Sequence, residues 1–176
     1  MSGIRPIDLE LEPVENELRR AGLKISELGS QDISSQPNYD AAVQILLDHL
    51  ARDYSDHARA VMASVLCAKH KSIKSSWRPL VDLYRSNQNH LRVEHKGESL
   101  VVDSEAKMML ANALLRAYDS SKLPELVELI ADPSNGSTRL MLLSIVKRNR
   151  KKPDINEVIA RLKADPVLAV EIASWK

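Results

Sequence analysis

Apolar positions along this chain change period near residue 40. Before it, Ile7, Leu9 and Leu11 alternate with Asp8, Glu10 and Glu12, which predicts a short strand or extended arm over residues 1–12. Pro13 opens a short helix through about Ala21 that Gly22 terminates, and Gly29–Asn38, rich in Ser, Gln, Asp and Pro, reads as a loop. From Asp40 the spacing is helical. Ala42, Ile45, Leu46, His49 and Leu50 share one face of a helix ending near Asp53. A second helix, capped by Asp56, carries Ala58, Val61, Met62, Val65 and Leu66. A third, capped by Ser75 or Ser76 with Pro79 in its first turn, carries Leu80, Val81, Leu83 and Tyr84. Asn87–Asp103 breaks the pattern: Leu91, Val93, Leu100, Val101 and Val102 flank His95-Lys96-Gly97-Glu98, as a hairpin or a long loop. Ser104 starts the next helix, to about Tyr118. Three more are expected at 122–131, 138–148 and 155–164, and a short last one from Pro166 to Trp175.

The helical part repeats. Ser75-Ser76-Trp77-Arg78-Pro79 recurs 45 residues later as Ser120-Ser121-Lys122-Leu123-Pro124. Leu126, Leu129, Asp132 and Pro133 recur 33 later as Ile159, Leu162, Asp165 and Pro166. The run Ala58-Arg59-Ala60-Val61-Met62-Ala63 returns as Ala106-Lys107-Met108-Met109-Leu110-Ala111 and again as Thr138-Arg139-Leu140-Met141-Leu142-Leu143. The two intervals, 48 and 32 residues, differ by about the length of the 87–103 insertion. Such spacing predicts stacked helix pairs, an α-solenoid in which no pair buries its apolar stripe alone.

The pattern Asp53…Arg59 and Asp132…Arg139, each followed by small and aliphatic residues, resembles the HEAT repeat. Leu110-Ala-Asn-Ala-Leu-Leu with Leu126-Val-Glu-Leu-Ile-Ala-Asp-Pro is similar to uncharacterised bacterial HEAT-repeat proteins. The resemblance covers roughly residues 40–176. It implies an all-α, right-handed HEAT-like superhelix, divided as an N-terminal cap over 1–38 and a repeat domain over 39–176 with the insertion at 87–103. It also implies that Arg59, Lys107 and Arg139 connect repeats by bonding an Asp or backbone carbonyls, and that second helices line a concave face. Ser76, Ser121 and Asp154, at equivalent positions, are expected N-caps. Asn112, among apolar neighbours, is expected to bond a nearby turn.

Composition narrows the function. Hydrophobic residues are 44% and aromatics 3% with no Phe, which suits helices packed through aliphatic side chains and speaks against disorder. The net charge of +1 gives no global pull toward nucleic acid or anionic membranes. Its distribution is uneven: residues 1–38 carry four Lys/Arg against seven Asp/Glu, and 139–163 carry eight against two. Cys67 is the single cysteine and sits in an apolar helix, so neither an intrachain disulfide nor a thiolate metal cluster is available. There is no apolar leader segment and no run of about 20 apolar residues, so a cytoplasmic protein away from the membrane is expected.

Candidate chemistry is sparse. The five His match no zinc spacing, His90, Glu94 and His95 read as loop polarity, and neither a GxSxG elbow nor a Gly-rich phosphate loop occurs. The expectation is therefore no metal, no cofactor and no enzymatic activity. Trp77, Arg78, Tyr84 and Arg85, types enriched at interface hot spots, are the partner-binding candidates. Around Lys147 and Asn149, the cations Arg148, Arg150, Lys151 and Lys152 form a basic turn able to hold two or three phosphates. The reading is a scaffold or adaptor for a protein partner, acting through the concave face and with an immunity or regulatory protein as one form of it. The alternative is a nucleic-acid-binding or DNA-repair HEAT-like protein using the basic turn.

Overall fold

A helical period dominates the chain, and the computed structural model, which describes residues 6–29, 33–95 and 98–175, is mostly helical. The described residues contain ten α-helices and one two-stranded sheet. They group into two compact units, one ending at Ala117 and one beginning at Tyr118.

The first unit holds α1 (Pro6–Arg20), a 3-10 turn (Ile33–Ser35), α2 (Tyr39–Leu50), α3 (Asp56–Val65), α4 (Lys71–Ser75) and α5 (Trp77–Ser86). A hairpin of β1 (His90–His95) and β2 (Glu98–Asp103) follows, then α6 (Glu105–Ala117). The strand or arm expected over 1–12 is instead the first half of α1, with residues 1–5 outside the described part. The reason is visible over a longer window: Leu11, Val14 and Leu18 recur at intervals of three and four and are buried, while Leu9 is 58% exposed on the other side. Pro13 lies inside this helix, not at its start. It sits on the exposed side, where water can meet the carbonyl that loses its donor. At the C-terminal end, Gly22 at φ +86° lets its own N–H reach Arg19 O and that of Leu23 reach Leu18 O, so the chain turns off the helix.

Several caps differ from expectation. Ser55, not Asp56, caps α3 by accepting from Ala58 N at 3.2 Å. Asp56 reaches across to the neighbouring helix: its carboxylate accepts from Ser104 Oγ at 2.5 Å and from Glu105 N at 2.8 Å, so a residue of α3 caps α6. The Ser76 hydroxyl donates back to Ser72 O, because the short α4 runs directly into α5. Ser121 is held by Asp119, which caps the following 3-10 turn, and the side chain of Asp154 lies outside the described residues. Asn112 is only half-buried on α6, so the fold imposes no bonding partner on it.

The core of this unit lies where α3 packs on α6 and α5 on α6, around Leu46, Leu50, Met62, Leu66, Ile73, Leu80, Tyr84 and Leu110. The repeated cations join its elements. Arg59 Nη2 donates to Leu50 O at 2.9 Å, and the buried Lys107 donates to Asn87 O at 3.2 Å with its ammonium 4.8 Å from the centre of the Tyr84 ring.

The second unit contains α7 (Leu123–Ala131), α8 (Arg139–Asn149), α9 (Pro153–Leu162) and α10 (Pro166–Ala173) around Leu126, Ile130, Leu142, Val146, Ile155, Leu162 and Leu168. Here the repeated cation is Arg139, which bonds Gly136 O at 3.1 Å and Asp165 at 2.6 Å. Asp165 in turn caps α10 through Val167 N and Leu168 N. One residue thereby holds the start of α8 to the start of α10.

Candidate interaction surface

The hairpin is the least expected surface of the first unit. Its register pairs Leu91 with Val102 and Val93 with Leu100, so these four side chains share one face. Val93, Leu100 and Val102 are 37–41% exposed, and Val101 on the other face is 65% exposed. That opposite face also carries His90, Arg92, Glu94, Ser99 and Asp103, with His90 bonding Asp103 at 2.9 Å. The ribbon is therefore amphipathic, with an apolar face in solvent.

A groove leads to its foot. One cleft of about 470 Å³ has a floor of the buried Leu47 and Leu83 and a rim of Gln44, Asp48, Pro79 and Asp82. An adjoining cleft of about 230 Å³ includes Asp53, Tyr54, Gln88 and Leu91, and Arg59 and Ser86 line both. The groove is apolar below and mainly acidic at its edge.

Behind Tyr54 lies a relay. The buried His49 bonds Glu17 through Nε2 at 2.8 Å and the Tyr54 hydroxyl through Nδ1 at 2.7 Å. Because a carboxylate only accepts, Nε2 carries the proton, and in a neutral ring Nδ1 accepts from the Tyr54 O–H. The hydrogen bond from His49 holds the Glu17 carboxyl below the usual range, and burial raises the Tyr54 hydroxyl. Sequence reading placed His49 among aliphatic residues and missed this relay; its one signal was an imidazole on an otherwise apolar stripe. The relay ties α1 to α2 and to the turn before α3.

The expected partner-binding set divides. Trp77 and Tyr84 are 4% and 0% exposed and sit in the core. They lie on the same face of α5 as Leu80 and Val81, and the amphipathic pattern of that helix turns this face inward. Arg78 and Arg85 occupy the outer face, with Arg78 3.4 Å from Asp82 at the groove rim.

The basic turn follows α8. Arg148, Lys151 and Lys152 are exposed. Arg150 folds back to donate to Lys147 O at 3.1 Å, and Lys147 pairs with Glu171 at 3.3 Å. Part of the cluster thus closes its own helix end and part faces solvent.

Cys67 is half-buried, and burial pushes its thiol up to about 11, so at neutral pH it is a protonated packing residue. Among the described residues no group of His, Cys, Asp and Glu is placed to hold a metal, and no helix is long and apolar enough to cross a membrane. The side chain of His95 and residues 96 and 97, part of the loop considered for metal, lie outside the described residues. No family model, curated protein or solved structure matches this chain.

Proposed function

We propose that this chain is a non-enzymatic, cytoplasmic binding scaffold of HEAT-like helical repeats that recognises a protein partner. The carrying observation is the hairpin: Val93, Leu100 and Val102 share a face with Leu91 and stand exposed at the end of the α2–α5 groove. An apolar strand face left in water is a liability unless something covers it. The groove adds an apolar floor and the carboxylates Asp48, Asp53 and Asp82, which favour a partner segment of mixed apolar and basic character. Arg78, paired with Asp82, borders that surface. The repeated spacing in the sequence supports stacking of the helix pairs, and the resemblance to HEAT repeats implies a right-handed superhelix, with an immunity or regulatory role as one form of the scaffold. The test is affinity capture with the full chain against V93S/L100S/V102S, both checked for equal helical content. A specific partner lost about tenfold or more from the variant supports the reading, because apolar interface anchors each contribute on the order of 1–2 kcal/mol. Equal capture by both proteins overturns it.

A second reading has its own observation, the exposed Arg148, Lys151 and Lys152 in one turn. A nucleic-acid or DNA-repair role would use them with Arg150 to hold phosphates. Binding of short duplex DNA, measured against salt for the wild type and for a variant with all four changed to Ala, separates the readings. Two or three phosphate contacts predict a slope of about −2 to −3 in log affinity against log salt, lost in the variant. The scaffold reading predicts no binding by either protein near physiological salt.

A further inference from the structure

Among the described residues the hairpin is a sheet of two strands, and β1 and β2 each have one edge with no neighbouring described strand. Backbone alternation identifies what lines the outer edge of β1. Ser104 N donates to Asn89 O, so Asn89 and the in-phase Leu91 and Val93 turn their N–H and C=O groups toward β2. His90, Arg92 and Glu94 turn theirs outward. Their side chains lie on the charged face of the ribbon, away from Leu91, Val93, Leu100 and Val102.

From this edge we infer that β1 pairs antiparallel with β1 of a second copy of the chain, about a two-fold axis at Val93. A two-fold axis normal to a sheet keeps each face on its own side, so opposed residues must be an even number of positions apart. Centring on Val93 sets Val93 against its own mate, Arg92 against Glu94 of the second copy, and Glu94 against Arg92 of the second copy. Both residues of each such pair have outward main-chain groups, so hydrogen bonds and complementary charges coincide in one register. Symmetry makes the ion pair twice. Shifting the centre to Arg92 opposes two guanidinium groups, and β2 carries two carboxylates, Glu98 and Asp103, and no cation, so no register of β2 against its own mate makes an ion pair. Pairing β1 with β2 would be head-to-tail and would not close. The closed form is a four-stranded sheet, β2–β1–β1–β2, which passes the three strands a sheet needs to stand alone and carries one continuous apolar stripe through both Val93 residues.

This pairing goes beyond the scaffold role: a monomer that captures a partner protein keeps that role and loses this one. The test is sedimentation velocity with native mass spectrometry on the full chain between about 1 and 100 µM, the range a small six-residue strand interface reaches. A reversible monomer–dimer equilibrium is expected for the wild type. R92E and E94R should each weaken it about tenfold, since two attractive pairs become repulsive, with unchanged circular dichroism and melting. An equimolar mixture of R92E and E94R restores complementarity, and a heterodimer within about threefold of wild-type affinity is expected, as is the R92E/E94R homodimer. A wild type that stays monomeric throughout, single variants that dimerise like the wild type, or a mixture that fails to recover would each overturn the inference.

Discussion

At the scale of single residues, specific neighbours hold three carboxylates ionised. The guanidinium of Arg139 lowers the Asp165 carboxyl, the hydrogen bond from His49 lowers Glu17, and the Trp175 indole followed by Lys147 lowers Glu171. In each case the folded pKa lies below the unfolded one, so on acidification the unfolded chain takes up protons first. The contribution to stability is therefore full above the unfolded carboxylate range of about 4 and is lost as pH falls through the folded values. Urea midpoints should be nearly flat from pH 7 to about pH 5 and fall steeply below about pH 4. Arg139→Gln should lower the midpoint at pH 7 and converge on the wild type in acid, because the 2.6 Å partner of Asp165 is gone. Curves that stay parallel from pH 7 to pH 3 would show that this pair does not set the acid limb. The same residue explains part of the repeat. Arg59, Lys107 and Arg139 recur in sequence, and each bonds a carbonyl or carboxylate on another turn.

At the scale of elements, periodicity located what it could see and missed what depends on partners in space. The helices α5 to α10 follow from aliphatic spacing and from Pro79, Pro124 and Pro166 near their starts, where a missing N–H costs little. The first helix was obscured because three alternating residues, Ile7, Leu9 and Leu11, mimic a strand until Val14 and Leu18 are counted with Leu11. Asp56 reads locally as a cap of its own helix, but its carboxylate serves α6, almost 50 residues away in sequence. The same applies to the candidate site. Trp77 and Tyr84 have interface chemistry, yet the stripe Leu80, Val81 and Tyr84 already placed them on the inward face of α5. The hairpin was open between two readings, because Leu91/Val93 and Leu100/Val102 alternate correctly for strands while nothing in the sequence says that their face stays in water. An element so exposed adds little to the stability of the unit it grows from. Replacing residues 90–103 by a short Gly/Ser linker should shift the melting temperature by only a few degrees, about 1 kcal/mol of loop closure and lost contacts. Thermal melts of the full chain and the deletion check this, and collapse of the helical signal would show that the ribbon nucleates α6.

For the molecule as a whole, the two units differ in how much each buries by itself. Residues 6–117 surround a core with large fully buried side chains from six helices, including Tyr39, Tyr84, Met62 and Leu110. Residues 118–176 form a unit of about 60 residues, a size at which burial is marginal, and it leaves Val167 and Val170 at 50% and 75% exposed. The chain's two tryptophans report the units separately. Trp77 is buried in the first, and Trp175 in the second donates to Glu171 at 3.0 Å with the Lys147 ammonium 5.9 Å from its ring. Trp175→Phe leaves the first unit's reporter in place and alters only the end of the second. In urea, the wild-type fluorescence minus that of Trp175→Phe isolates Trp175, and its midpoint is expected below that of Trp77. Two displaced transitions would mean that the smaller unit unfolds from its own marginal core. Coincident transitions would mean that it borrows stability from the rest of the chain, as neighbouring repeats in a continuous stack do, and would shift the weight of argument toward an unbroken solenoid.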